Sequence, residues 1–509
     1  MQSTVVLGDY ALTQTQIETR ATRAAAGFRT LGVRPGDAIA VMLRNDIPFF
    51  EVITAAQSLG VYNVPVNWHF SAQEVLHVLL DSGAKALVIH ADLLFGIRHL
   101  LPVELPVIVV ETPSLIQETY AIEANACEPP QGYPVWTEWL AGYEPLVGDA
   151  TGVAMTMMYT SGTTGRPKGV RRQPATTEQI ARLHAAEPKV MGNRPGMRSI
   201  ICGPLYHAAP FHFARVAYET GALIVLQPRF DAEELLALIE QHRVSAMFMA
   251  PIMFVRLLRL PDKTRAAYDL SSLEHVIHAG AICPPDIKRA MIDWWGPIVH
   301  EFYGSTESGV ITHCDSAEWL AHPGTVGRVV GNTTLQIVRD DGAEAAINEI
   351  GEVYMRRLDY PEFTYHGDPD KRQSIERNGL ITNGDIGYLD EQGYLYLCDR
   401  ARDMIISGGV NIYPAEIESA LLGFQGVRDC AVLGIPDEEY GEAVMALVEP
   451  MAQDSCTESA LKIHLKEYLA HYKIPRRIEF RQDLPREDSG KIFKRKLREE
   501  YWKDAGRNI

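Results

Sequence analysis

Tyr159 to Gly169 reads YTSGTTGRPKG, and the reading of this stretch decides the rest. Glycines at 162, 165 and 169 allow backbone angles closed to other residues, so successive amides can converge on an anion. The hydroxyls of Thr160, Ser161, Thr163 and Thr164 add donors, and Lys168 adds a point charge. Such a string predicts a loop that closes around a polyphosphate. It departs from the GxxxxGK[ST] order of P-loop proteins, because no Ser or Thr follows the lysine. By composition alone the stretch also fits a Ser/Gly-rich surface loop, so its company elsewhere in the chain decides.

At 509 residues the chain is too long for one core and predicts two or more domains. A formal charge of −17 excludes a general nucleic-acid binder, whose affinity comes largely from neutralising phosphates. Residues 471–500 run the other way, with ten Lys/Arg against six Asp/Glu. That run suits a small anionic ligand and, equally, a solvated basic helix. The seven cysteines are scattered and contain no CxxC pair, which fits a reducing compartment and neither a disulfide framework nor a zinc site. The N-terminus lacks a basic region followed by an apolar stretch, and no run of 18 apolar residues exists to span a membrane. These features predict a cytoplasmic, enzyme-sized protein.

Helix and strand patterns alternate along the first three hundred residues. Ile17, Ala21, Ala24, Phe28 and Leu31 recur at helical spacing and stop at Gly32. AIAVM at 38–42 reads as a short buried strand. Ser71 and Glu74 form a capping box ahead of a second helix, followed by ALVIH at 86–90. The pattern resumes with strands at 199–202, 222–226, 244–249, 275–279 and 299–303, and with helices at 211–220 and after Asp231. Such alternation predicts parallel sheets covered by helices on both faces. The fold class expected is α/β: a large N-terminal domain of two packed α/β layers plus a small β unit beyond about residue 325, then a small mobile α+β C-terminal domain. The charged stretch Arg400–Asp403 marks the boundary, giving domains 1–399 and 400–509.

Four further strings carry chemistry. EFYGSTE at 301–307 offers the flat face of Tyr303 for a purine, a close backbone at Gly304, and oxygens on Thr306 and Glu307 suited to magnesium. In TNGDIGY at 382–388, Asp385 stands in a glycine-flanked turn and could take both hydroxyls of a ribose. REDSGK at 486–491 is a polar loop ending in Lys491. SGGVNIYPAEIE at 407–418 is a glycine turn leading into a helix with Pro414 in its first turn.

In this order and with these gaps, the five strings resemble the adenylate-forming (AMP-binding) superfamily of acyl-CoA synthetases, adenylation domains and luciferases, over nearly the whole chain. The resemblance implies an ATP-dependent, magnesium-requiring enzyme. It implies that Thr160, Ser161, Gly162, Thr163, Thr164, Gly165 and Lys168 hold the phosphates. Tyr303 would stack on adenine between Gly280 and Ala281, with Gly304 and Ser305 beside it. Asp385 would bind the ribose with Arg400 next to it, and Thr160 and Glu307 would hold Mg2+, with Thr306 in the same catalytic group. Lys491 would bridge the carboxylate and the α-phosphate. Arg402 stands at the pivot on which the C-terminal domain turns, where the family usually has Asp or Lys. Gly408 and Gly409 would line the pantetheine channel of coenzyme A. His207, in PLYHAAP, matches a position near the acyl tunnel, and Pro210 stands where related sequences often have Gly. A metal pair of His207 and His212 lacks a third ligand nearby.

Within the superfamily, SGGVNIYPAEIE resembles the acyl-CoA synthetase form, no Asp in LYHAAPFHF could pair with an amino-acid ammonium, and little chain follows Lys491. The expected activity is an acid–CoA ligase: an apolar carboxylic acid (fatty, aromatic or polycyclic) becomes an acyl-AMP with release of pyrophosphate, then an acyl-CoA. The partners implied are small molecules, with no nucleic acid and no membrane span, and a homodimer is the candidate assembly. One rival is a stand-alone ligase loading a carrier protein. The other is a silent nucleotide sensor, which would be expected to have lost Lys491 or Glu307.

Overall fold

The computed structural model describes residues 3–148, 155–160, 167–220, 223–408, 410–437, 439–452, 456–486 and 492–503. Ser161, Gly162, Thr163, Thr164, Gly165, Gly409 and Lys491 therefore lie outside the described residues.

Two sheets dominate. The first runs, from edge to edge, Phe363–Tyr365, Lys168–Arg172, Met155–Thr160, Tyr62–Pro65, Ala38–Met42, Ala84–His90 and Val107–Val110. Its last five strands are parallel, and the Lys168 strand turns back antiparallel on the Met155 strand. The second is larger, with Thr4–Leu7, Leu223–Leu226, Arg198–Ile201, Ala246–Met249, His275–His278 and Val299–Ser305 as adjacent parallel strands. Antiparallel strands close both of its edges. The alternation of buried strands with amphipathic helices produces this layering. Side chains of both sheets, with Phe28, Phe50, Trp136 and Phe213, share one large core.

Local signals act as the sequence suggests. Thr13 and Ser71 each close a capping box, on helices Gln14–Thr30 and Ala72–Asp81. Asp231 accepts from the Glu234 amide at the start of helix Ala232–His242. The helix expected at 211–220 begins earlier, at Ala208, because His207 already adopts the extended backbone of a cap. After Gly327 an antiparallel sheet of short strands forms the small β unit, built on Thr333–Val338, Gly351–Arg357, Leu380–Leu389 and Leu395–Arg400.

The smaller C-terminal domain is a mixed sheet with helices Pro414–Leu422, Glu458–Tyr468 and Lys494–Trp502 packed on it. The basic tail is largely spent inside this domain. Lys473 pairs with Glu416, Arg476 with Asp437, Arg486 with Asp429, and Lys494 with Glu418. Among the described residues no helix is long and apolar enough to cross a membrane.

Candidate active site

A cleft of about 2490 Å³ opens at the carboxyl ends of both parallel sheets and is closed on one side by the C-terminal domain. Open α/β sheets hold ligands at this end of their strands. Thr160 ends one strand, and Tyr303, Gly304 and Ser305 end another. Gly280, Ala281, Gly203 and Ala250 follow the ends of three more.

The string YGSTE forms its turn by close backbone approach. A Cβ on Gly304 would come within 2.0 Å of the Gly309 carbonyl oxygen, so only glycine fits there. The register shifts at this point, between Tyr303 and Gly304. Gly280 turns with φ +91° and has open space around it, so it leaves room for a ligand. Ser305 Oγ accepts from the amides of Glu307 and Ser308 and fixes the following turn.

Tyr303 and Asp385, 82 residues apart, meet here: the phenol donates to Oδ2 at 2.6 Å. Arg400 approaches the other carboxylate oxygen at 3.3 Å, and the two residues are register partners in adjacent strands. Burial and then the Asp385 charge hold the Tyr303 phenol well above its usual range, so it stays a donor. Burial works against the Arg400 charge, yet Asp385 and Asp403 raise it.

The predicted phosphate loop joins two paired strands, with Thr160 opposite Lys168. Lys168 and Thr160 both face the cleft, and Lys168 Nζ is held 3.1 Å from Asp368. Thr306 and Glu307 also line it, and Tyr365 donates to Glu307 Oε1 at 3.1 Å. His207 lines the cleft with its ring against Tyr206, at the head of helix Ala208–Glu219. On the C-terminal side the lining includes Arg402, Arg486, Ile492 and Lys494. Arg486 and Ile492 pair as an isolated β-bridge, so the ends of the segment carrying Lys491 sit at the cleft. Gly408 lies elsewhere. It turns with φ +58° against Tyr440 and is not part of the lining. Among the described residues no group of three metal-ligating side chains forms.

Three supporting residues escaped the sequence reading. Arg172 donates to the carbonyls of Thr306 and Glu307, each at 2.7 Å, and to Pro361 at 2.9 Å. Tyr365 orients Glu307, and Asp368 holds Lys168. Only the doubled arginine after GV hinted at the first of these.

Residues 2–358 match the AMP-binding enzyme family, and residues 416–491 match the AMP-binding enzyme C-terminal domain. The chain belongs to the AMP-binding enzyme family. It is 32% identical over 502 residues to a feruloyl-CoA synthase of Amycolatopsis, covering 97% of this chain and 95% of the relative. It is also 32% identical over 506 residues to a long-chain-fatty-acid–CoA ligase of Mycobacterium tuberculosis, covering 97% and 94%. Among solved structures it resembles the o-succinylbenzoate CoA synthetase of Bacillus subtilis bound to its acyl-adenylate, with 26% identity, a TM-score of 0.78 and coverage of 97% and 94%. The amide bond synthetase McbA of Marinactinospora thermotolerans is 25% identical with a TM-score of 0.79, covering 98% of this chain and 96% of that one. Both of the sequence relatives, matched over nearly the whole chain, are named as acid–CoA ligases.

Proposed function

We propose that the enzyme converts a largely apolar carboxylic acid to its CoA thioester in two half-reactions, through an acyl-adenylate. The observation that carries this is the meeting of Tyr303, Asp385, Arg400, Glu307, Thr160 and Lys168 around one cleft. A carboxylate is a poor acyl donor because it would have to expel oxide. Attack of its oxygen on the α-phosphate of ATP expels pyrophosphate and leaves AMP as the later leaving group. Tyr303, Gly280 and Ala281 would bound the adenine, and Asp385 with Arg400 would take the ribose. Lys168 would meet the phosphates, along with the loop from Ser161 to Gly165. Glu307 and Thr160 supply hard oxygen donors that suit Mg2+, and the Tyr365 bond orients Glu307. When bound there, Mg2+ would offset phosphate charge. Lys491 would neutralise charge as carboxylate meets α-phosphate.

The thiol must then reach the same carbonyl. We assign residues 1–399 to the ATP- and acid-binding domain and 400–509 to a domain that turns about Arg402. Residues flanking Lys491 at the cleft, with Gly408 away from it, fit the arrangement for the first half-reaction. The cleft walls Phe211, Phe248, Val255, Met191 and Ile180 favour an acid with an apolar body. All seven cysteines are free, in keeping with a cytoplasmic setting. Pyrophosphate release across a panel of carboxylic acids, with and without CoA, tests the proposal. We expect acid-dependent release, with acyl-CoA accumulating only when CoA is present. Release of inorganic phosphate and ADP in its place would refute it.

A further inference from the structure

Two helices form the far wall of the cleft. Helix Thr177–Met191 presents Ile180, Leu183, His184, Glu187 and Met191, and helix Ala208–Glu219 presents Ala208, Phe211, His212, Arg215 and Glu219. Both sets recur at three and four residues, so each is one helical face. Half of these ten positions are apolar or small. Among the polar ones Glu187, His212 and Arg215 converge in the wall, with Arg215 also paired to Glu219 at 2.7 Å. Glu187, 8% exposed, has its Oε1 at 3.7 Å from His212 Nε2 and 3.6 Å from Arg215 Nη2. Both separations exceed a hydrogen bond. Arg215 Nη2 lies 3.3 Å from His212 Nδ1. A guanidinium can only donate, so Nδ1 accepts, and a neutral His212 carries its proton on Nε2, towards Glu187.

The protonation states agree with that geometry. Burial, then the charges of Arg215 and Arg357, push His212 down to about 3, so it is neutral near pH 7. Burial raises the Glu187 carboxyl from its usual range, against the pull of Arg215. The cluster therefore holds a donor from Arg215, a donor from His212 and a carboxyl, with the carboxyl out of bonding reach of both. A single oxygen placed among the three would complete it. A hydroxyl is the group that both accepts from nitrogen donors and pairs with a carboxyl in either protonation state.

We propose that Glu187, His212 and Arg215 form a specificity subsite for a hydroxyl group on the distal part of the substrate's acyl moiety. This rests on the ligase reading above and takes the reacting carboxylate to lie near His207, which lines the cleft. Arg215 lies eight residues farther along the same helix, about 12 Å at the α-helical rise. The preferred acid is thus a hydroxylated one, with its hydroxyl about that far from the carboxylate and an apolar body between.

The test compares saturated acids with their terminal hydroxy and oxo counterparts, at chain lengths from roughly six to twelve carbons, by kcat/KM in pyrophosphate release. At the best length we expect the hydroxy acid to be preferred over the plain acid by about tenfold or more, as one hydrogen bond to a charged group allows. In Glu187→Gln and in Arg215→Met the ratio should fall towards one, with melting temperatures confirming that each variant is folded. Arg215→Lys serves as a second variant that keeps the charge without the planar fork, and should restore part of the preference. Turnover of the plain series with no hydroxyl preference overturns the subsite and leaves the ligase reading intact. A preference for oxo acids overturns the hydroxyl assignment, and a preference that survives in both Glu187→Gln and Arg215→Met overturns the residue assignment. Absence of turnover with every acid overturns the ligase reading, and the subsite with it.

Discussion

The Tyr303 hydroxyl donates a 2.6 Å hydrogen bond to Asp385, while Arg400 approaches the other oxygen of that carboxylate at 3.3 Å. One carboxylate therefore ties the wall proposed for adenine to the group proposed for ribose. Tyr303→Phe keeps the ring and removes the bond. A hydrogen bond to a charged group contributes about 1.5–3 kcal/mol, so KM for ATP should rise by roughly 10- to 100-fold. Asp385→Ala should raise it further. Initial rates against ATP concentration check this, and an unchanged KM in Asp385→Ala removes the residue from nucleotide binding.

Arg172, which lines the cleft and braces the carbonyls behind Thr306 and Glu307, should matter for both stability and rate. Arg172→Met withdraws the donor from Thr306, Glu307 and Pro361 together. With about 1–3 kcal/mol for each buried acceptor left unmade, partly relieved by relaxation, we expect a loss of roughly 2–4 kcal/mol. Arg172→Lys should recover only part of it, because an ammonium cannot reproduce the planar fork. Denaturant unfolding measures the loss, and kcat should fall alongside it as the Glu307 turn loosens.

The two half-reactions should separate by mutation. Lys491→Ala should slow adenylation by roughly 10²–10³, the usual cost of removing a preorganised group at developing charge. A supplied acyl-adenylate should still react with CoA at close to the normal rate. Arg402→Pro fixes φ near −65° in the turn after Leu395–Arg400 and should do the reverse, sparing adenylation more than thioester formation. Single-turnover assays of each half-reaction decide. Equal losses in both steps for either variant would contradict the role given to it.

Acid should destabilise the fold well before the carboxylates titrate. His275 stacks on His300 at 4.0 Å, and His300 Nδ1 lies 3.2 Å from His313 Nε2. Burial in the first place, and then neighbouring positive groups for the latter two, lower His275 to about 4, His300 to about 2 and His313 to about 4. The unfolded chain titrates near 6.5 and so binds more protons than the fold between that pH and about 4. Stability is therefore full above pH 6.5 and is lost as pH falls through this window. Melting temperatures should show that decline, with a shallower slope in His300→Phe. A melting temperature flat from pH 7.5 to 5 would contradict it.

Much of this was legible because its causes are local. Capping at Ser71 and Asp231 and the strand Ala38–Met42 follow from a few adjacent side chains. The chemistry-bearing strings were legible because each is contiguous, and parallel sheets place strand ends together. What stayed hidden depends on partners far away in sequence. Thr4–Leu7 joins Leu223–Leu226 in the second sheet, a pairing that nothing local announces. Phe363–Tyr365 likewise crosses over to pair with Lys168–Arg172. Glu187 sits at an ordinary helical position, and its meaning appears only when packing brings His212 and Arg215 opposite it. The basic run at 471–500 reads equally as a site for an anion and as a solvated helix, because its acidic partners Glu416, Glu418 and Asp437 lie well upstream in sequence.

The central claim is that an oxygen of the acid becomes bonded to the α-phosphorus of ATP. Turnover of an acid labelled with 18O in both carboxylate positions, in the presence of ATP, Mg2+ and CoA, followed by mass analysis of the products, reads that bond directly. Thiolysis breaks the bond between the acyl carbon and the bridging oxygen, so the AMP released should carry one 18O, with pyrophosphate and the remaining label on the thioester carbonyl. Label in inorganic phosphate accompanied by ADP, or AMP without label, would contradict the account.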